Sequence, residues 1–249
     1  MTHASSTKKP SPELSVVIPA YCEERRLPAT LERVTSFLLR TRRSYEVLVV
    51  DDGSSDGTVA VAERHASHGV IVLRQPENRG KGAAVKRGVL ASSGRVVLVT
   101  DADLSTPIED LARLEAQLAN AEVVLGSRAL AASEILERQP LLRELMGRTF
   151  NLILRGLGMT RFRDTQCGFK LLEGHAGRRI AAELAVERFA FDVEMILLAE
   201  AMGYRVCEVP VTWSNSPTSH VHPLRDSLRM LVDVVKLRLS ARRRRPGGL

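Results

Sequence analysis

The chain is 249 residues long, 44% apolar and only 4% aromatic. That is enough for one large α/β domain or two small ones, with a core of Leu, Val, Ala and Ile. A formal net charge of +7 suits an anionic substrate, a membrane surface or nucleic acid. No nucleic-acid module accompanies the charge, so nucleic acid is the weakest of the three. Three scattered cysteines, Cys22, Cys167 and Cys207, form no CxxC pair, which argues against a disulfide framework or a zinc site and for a reducing cytosol. No apolar stretch approaches the about 18 residues of a membrane span, and the polar Met1–Glu13 segment has no secretory h-region.

Residues 1–13 read as a disordered tail. Leu14 to Pro19 is the first strand, ended by a proline that cannot donate to a ladder. Leu27 to Arg40 has helical periodicity, with Leu31, Val34 and Leu38 on one face. Tyr45 to Val50 is a strand running into Asp51-Asp52-Gly53, and turn chemistry at 54–58 opens a helix to about Ser67. Val70 to Leu73 is a third strand, and Asn78-Arg79-Gly80-Lys81-Gly82 is a loop before a helix over Ala83–Ala91. The apolar run Val96 to Val99 leads into Thr100-Asp101-Ala102-Asp103. A helix over about Pro107–Ala119 and a strand at Glu122–Leu125 follow. Strands separated by helices predict right-handed βαβ units and a Rossmann-like, mostly parallel sheet flanked by helices.

After Gly126-Ser127-Arg128 the alternation stops. Residues 129–140 read as a loop, Leu141–Leu157 as a helix carrying Arg143, Arg148 and Arg155, and Asp164–Leu172 as short and mixed. Helices are expected at 175–185 and 192–202, and a strand at 205–211. Pro223–Leu239 is predicted to be an amphipathic C-terminal helix with Leu224, Leu228, Leu231, Val235 and Leu239 on one face, followed by a basic tail at 241–249 containing Arg242–Arg245. The expected organisation is one domain over 14–240, with a nucleotide-binding half (14–128) and an acceptor half (129–240).

The chemistry concentrates at strand ends. Parallel strands bring Glu23/Glu24, Asp51/Asp52 and Asp101/Asp103 to one edge of the sheet, where open α/β folds bind ligands. If the strand geometry continues through Asp101-Ala102-Asp103, the two carboxylates face the same way. Such a pair favours Mg²⁺ or Mn²⁺ bound together with substrate phosphates. Asp52, after the second strand, is the candidate for nucleoside contacts. Arg79, Lys81 and Arg128, at the same edge, could stabilise a diphosphate leaving group or simply balance the carboxylates. Gly80-Lys81-Gly82 is no P-loop, and a dinucleotide fingerprint would need Gly at position 85, which is Val. Asp101 does have the spacing of that motif's acid, so an NAD(P) enzyme is the remote alternative. A binding protein of the same fold without turnover is another.

The segments Ser15–Glu24, Val49–Thr58, Asn78–Gly82 and Asp101–Asp103 resemble the family 2 (GT-A fold) glycosyltransferases. Arg163-Asp164-Thr165-Gln166-Cys167-Gly168-Phe169-Lys170 and Val186–Glu194 resemble its dolichyl-phosphate β-glucosyltransferase branch, next to the polyprenyl-phosphate mannose synthases. The resemblance spans about residues 14–240. It implies a GT-A fold, a nucleotide-sugar donor (UDP-glucose, with GDP-mannose second), Mg²⁺ or Mn²⁺, and a polyprenyl-phosphate lipid acceptor. It also implies roles. Pro19, Tyr21, Glu23 and Asp52 would line the nucleoside pocket, with Lys81 and Asp101 also on the nucleotide. Asp101 and Asp103 would hold the metal and diphosphate. Arg128 would meet phosphates, and Gln166, Lys170 and Arg148 would face sugar and acceptor. Asp192 would border the reaction centre, with Arg128 and Asp103 as the other catalytic positions. A phosphate nucleophile needs no strong base, because its second pKa is about 6. A sugar hydroxyl would need one, and Asp192 is the candidate. Eukaryotic members of the glucosyl branch carry an N-terminal membrane helix and some mannose synthases carry C-terminal ones, which are not seen here. The expectation is therefore a cytoplasmic protein, peripheral at the cytoplasmic membrane face through the 223–240 helix and the Arg242–Arg245 run.

Overall fold

A computed structural model describes residues 11–216 and 229–238 of the chain. Its strands are β1 (Leu14–Ala20), β2 (Tyr45–Asp51), β3 (Val70–Arg74), β4 (Val96–Val99), β5 (Val123–Ser127), β6 (Glu134–Glu137), β7 (Lys170–Glu173), β8 (Val206–Pro210) and β9 (Thr212–Ser214). Its helices are α1 (Leu27–Thr41), α2 (Thr58–Glu63), α3 (Lys81–Ala91), α4 (Leu111–Glu115), α5 (Leu141–Gly156), α6 (Gly174–Glu183), α7 (Phe191–Ala201) and α8 (229–238). Seven strands form one sheet in the order β3-β2-β1-β4-β7-β5-β8. All neighbours are parallel except β7, which runs antiparallel to both β4 and β5. The sheet is thus mostly parallel with helices on both faces.

The apolar runs explain the burial. All seven residues of β1 are buried, as expected for a central parallel strand covered on both faces. Alternation sends Val16 and Ile18 to the side of Leu27, Leu31, Val34 and Leu38 on α1. Val17 goes to the opposite side, with Ala84, Val85 and Val89 of α3. A third cluster joins Phe150 and Leu154 of α5, Val193 of α7, and Met230 and Val234 of α8.

The differences from the expectations lie mainly in the second half. The 129–140 stretch is not all loop: β6 lies within it and pairs in parallel with β9. The mixed 164–172 segment ends in β7, inserted between β4 and β5. Four residues with a charge at each end, Lys-Leu-Leu-Glu, give too little alternation to mark a strand; their pairing is tertiary. The helix after Thr58 stops at Glu63, with a 3₁₀ turn at Ala66–His68, and the 107–119 stretch is a 3₁₀ turn followed by the short α4. On α8 the face packed inward carries Met230, Val234 and Leu237, while Val235 of the predicted apolar face is 47% exposed. Leu224, Leu228, Leu239, Arg242–Arg245 and the first ten residues of the predicted tail lie outside the described residues. No helix among the described residues is long and apolar enough to cross a membrane.

Candidate active site

The carboxyl ends of β1, β2 and β4 open into a cavity of about 600 Å³. Its wall includes Pro19, Tyr21, Glu23, Asp52, Lys81, Asp101, Asp103, Arg128, Gln166 and Asp192. These are ten of the twelve residues to which the resemblance gives roles; Lys170 and Arg148 are the other two. Parallel strands account for the gathering: β1, β2 and β4 bring their carboxyl ends to one edge, with Ala20 opposite Asp51 and β4 ending at Val99, opposite Val17.

Each carboxylate on this edge is held by its own partners. Asp52 is buried and accepts the side-chain amide of Gln75 (2.6 Å) and the backbone N–H groups of Arg79 (2.9 Å) and Gly80 (2.8 Å). Burial still pushes its pKa up. The 78–80 loop therefore spends its N–H groups on Asp52 rather than on a phosphate cradle. Gly80 and Gly82 pack against the backbone of Val186 to Arg188, and Gly80 has a φ of 113°, a region open chiefly to glycine. These glycines serve close packing, which removes the basis of the dinucleotide reading. Glu23 makes a forked pair with Arg26, at 2.5 and 2.6 Å. Asp51 and Glu24 turn to other work, capping the 54–58 turn at Ser54 and Gly57.

Asp101 and Asp103 do not continue an extended strand. β4 ends at Val99, and residues 101–104 form a turn closed by the Leu104 N–H on the Asp101 carbonyl. Both still line the cavity, because Ala102 is buried and its carbonyl accepts the Thr30 hydroxyl at 2.6 Å. Asp101 pairs with Lys81 at 2.5 Å. Burial alone would raise the pKa of this carboxyl, but the Lys81 ammonium overrides it and holds the group below its usual range. Desolvation likewise pulls Lys81 down, and Asp101 more than reverses it. Asp103 accepts the Ser105 N–H and lies 3.7 Å from Arg26.

A second set of contacts closes the site from the 160s. Arg128 is locked to Asp164 by two bonds, 2.6 and 2.8 Å, with its backbone N–H on the same carboxylate. Its guanidinium also lies 5.5 Å from the centre of the Trp213 ring, a cation–π contact. The turn at Gly168 lies directly on Asp101: a Cβ there would overlap the Asp101 carboxylate. Behind it, Lys170 bonds the Cys167 carbonyl and pairs with Asp192 at 2.6 Å. Burial outweighs Lys170 and leaves the Asp192 pKa raised.

Two expected site residues sit elsewhere. Lys170 is 1% exposed and is absent from the cavity wall, so it supports Asp192 from behind. Arg148 points to solvent, 75% exposed, and pairs with Glu144 one helical turn away; Arg143 takes the cavity position on α5 instead. Arg79 also turns outward, to Glu187. Sequence reading missed Arg26, Arg143, Arg188, Arg229 and Trp213 on the wall. The seven-residue spacing of Arg143, Phe150 and Leu157 placed them on one helix stripe and could have pointed to Arg143. Arg188 lies inside the Val186–Glu194 segment, which was read only for Asp192, while Arg26, Arg229 and Trp213 sit outside any short motif. Arg143, Arg188 and Arg229 have no carboxylate partner among the described residues. Among those residues there is also no group of three His, Cys, Asp or Glu that could hold a metal. Asp101 and Asp103 put two carboxylates on the cavity wall, a donor set that would fit Mg²⁺ or Mn²⁺ if phosphate oxygens completed the shell.

A mostly parallel sheet with its ligand cavity at the strand ends, capped by an antiparallel insertion, is the fold of the GT-A glycosyltransferases. The glucosyl-3-phosphoglycerate synthase of Mycobacterium tuberculosis, solved with Mn²⁺, UDP and glucosyl-3-phosphoglycerate, superposes with a TM-score of 0.64 over 92% of this chain and 79% of that one, at 21% identity. The profile of glycosyl transferase family 2 matches residues 15–183, and the chain belongs to that family of enzymes. Dolichyl-phosphate β-glucosyltransferases from Dictyostelium discoideum and Homo sapiens are 37% and 36% identical to it. The first alignment covers 90% of this chain and 73% of the relative, the second 92% and 76%.

Proposed function

We propose that this glycosyltransferase moves glucose from UDP-glucose to the phosphate of a polyprenyl lipid of the dolichyl type, with inversion at the anomeric carbon. The observation that carries the reading is the division of charge within one cavity. Asp101, Asp103, Lys81 and Arg128 form a paired, ordered end. Arg143 on α5 and Arg229 on α8, helices joined through Phe150 and Met230, form an end with cations and no carboxylate partner among the described residues. A donor diphosphate suits the first, and an acceptor phosphate suits the second. The names of the relatives point the same way.

In this reading residues 14–128 are the nucleotide-binding half and 129–240 the acceptor half. Pro19, Tyr21, Glu23 and Asp52 line the nucleoside pocket. Mg²⁺ or Mn²⁺, held by Asp101 and Asp103, would supply positive charge for the departing diphosphate. Lys81 and Arg128 add fixed charge beside it, pre-oriented by Asp101 and Asp164. The lipid phosphate is already mostly dianionic at pH 7, so the chain need only position it and need not remove a proton. Gln166 stands between the two ends. Asp192 is tied to Lys170 and shapes the floor of the site. The same reading puts the enzyme at the cytoplasmic face of a membrane, as a peripheral protein.

The test is direct transfer. Purified protein, Mn²⁺ or Mg²⁺, labelled UDP-glucose and a short polyprenyl phosphate should yield label in the organic phase. Label arising only from GDP-mannose replaces the donor. Label passing only to soluble sugar hydroxyls, abolished by Asp192→Asn, replaces the acceptor.

A further inference from the structure

The outer face of α5 is unusual for a helix at the surface of a protein. Its inner face turns Arg143, Met146, Gly147 and Phe150 to the cavity and packs Leu154 into the third core cluster. Its outer face carries Leu141, Leu142, Leu145 and Leu152, exposed by 80%, 65%, 63% and 62%. Leu141, Leu145 and Leu152 repeat at spacings of four and seven and so form one stripe. Single exposed leucines need no explanation, but a stripe of them along about three helical turns does. The helix bears three arginines, Arg143, Arg148 and Arg155, against one acid, Glu144, and Glu144 is neutralised by Arg148.

We propose that the outer face of α5 is a docking surface for an anionic phospholipid bilayer, with Leu141, Leu145 and Leu152 entering the acyl boundary and Arg155 meeting headgroups. Two observations choose this occupant. The first is charge: a leucine stripe flanked by unpaired arginine matches a negatively charged interface. The second is continuity: the helix that would lie on the bilayer is the one whose opposite side lines the cavity beside the unpaired Arg143. A lipid phosphate leaving the headgroup layer therefore meets the cavity without crossing open water. The inference deepens the lipid-acceptor reading and rests on it for the acceptor. The described part of the C-terminal helix packs Met230 and Val234 inward, and the Arg242–Arg245 run expected at the membrane lies outside the described residues.

The experiment uses the full chain and a triple variant, Leu141→Gln, Leu145→Gln and Leu152→Gln. All three side chains are exposed, so the melting temperature should hold. Flotation with vesicles of neutral phospholipid alone, or with added phosphatidylglycerol, reads binding. The parent chain should float, more with phosphatidylglycerol, and the triple variant should bind at least about tenfold more weakly. Arg155→Gln should lose only the phosphatidylglycerol-dependent part. A parent that does not float, or a variant that floats as well as the parent, overturns the proposal. So does a leucine-dependent dimer in sedimentation, which would make a second copy the occupant. Transfer to a short, water-soluble polyprenyl phosphate without vesicles separates the two readings. The triple variant should match the parent there, whereas no transfer by either chain sinks the acceptor reading and leaves the flotation result standing.

Discussion

The two ends of the cavity treat charge in opposite ways. At the strand ends of β1, β2 and β4, every acidic side chain has a local partner: Glu23 has Arg26, Asp52 has two backbone N–H groups, Asp101 has Lys81. At the side built by α5 and α8, Arg143 and Arg229 line the cavity without a carboxylate partner among the described residues. Pre-paired charges are already oriented and lose little on meeting a ligand. Unpaired cations keep their full attraction for an incoming anion. The first end is thus suited to hold a diphosphate in one geometry, the second to attract a phosphate from outside. The sharpest way to break this comparison is at Asp103. Asp103→Ala removes one of the two oxygen donors for a cation, and transfer should fall by about a thousandfold, the upper range for losing one charge-stabilising group. UDP with Mn²⁺ should raise the melting temperature of the parent and not of the variant, because only the parent binds the pair. An equal rise in both would remove Asp103 from the donor end.

The Arg128–Asp164 pair stands at the border and tests whether pairing there is structural. Asp164 is 3% exposed, so Asp164→Asn leaves a buried guanidinium uncompensated. The cost should be about 3 kcal/mol at pH 7, the lower end for a broken buried pair because the Arg128 side chain is 27% exposed. The pH dependence has a definite sign. Burial alone would raise the Asp164 pKa, but Arg128 holds it below the ordinary 3.8. A depressed folded pKa means that the unfolded chain takes up the proton first as pH falls. The contribution is therefore complete above about pH 4 and is lost as the pH drops towards the folded value. Urea unfolding at several pH values should show the parent and variant converging only in acid. A constant gap would assign the loss to packing instead.

Gly168 sharpens the comparison from the other side, since it is how the second half of the chain fixes a residue of the first. Gly168→Ala puts a methyl group onto the Asp101 carboxylate, and either the turn or Asp101 must give way. Overpacking of this kind costs about 1–3 kcal/mol. If Asp101 is the part that moves, kcat should drop roughly tenfold, on the scale of 1.4 kcal/mol, with acceptor KM held. A variant with lower stability and full kcat would mean that the turn yields.

The same division governs how much could be read from the chain. In the first half, buried strands and turn residues made β1, β2, β4 and the carboxylates after them legible, because parallel strands deliver their carboxyl ends to one edge. Even there, extended geometry was carried two residues too far at Asp101-Ala102-Asp103, where a turn, not alternation, keeps both acids on the cavity. In the second half, function depends on long-range pairing that no local pattern encodes. β7 is four residues placed between β4 and β5 by tertiary contacts. Lys170 reads as an exposed binding residue and is buried under Asp192. Arg143 and Arg148 are both arginines of one helix, five residues apart, and five residues is about 140° of rotation on a helix, enough to put one in the cavity and the other in solvent.

That last pair offers the finest test of the unpaired end. Arg143 lines the cavity and has no acidic partner, while Arg148 is 75% exposed and held by Glu144. If the cations at this end meet the acceptor phosphate, Arg143→Gln should raise acceptor KM by about tenfold, near the lower bound of 1.5 kcal/mol for a hydrogen bond to a charged group. UDP affinity should not change, because the donor end keeps Lys81 and Arg128. Arg148→Gln should leave both constants within about twofold, as expected for an exposed i,i+4 pair worth a few tenths of a kcal/mol. Inorganic phosphate gives an independent reading, since it should inhibit the parent competitively against the acceptor and inhibit Arg143→Gln less. Equal effects of the two substitutions would mean that only the summed charge of α5 matters. A rise in donor KM with Arg143→Gln would move that arginine to the diphosphate and end the distinction between the two ends.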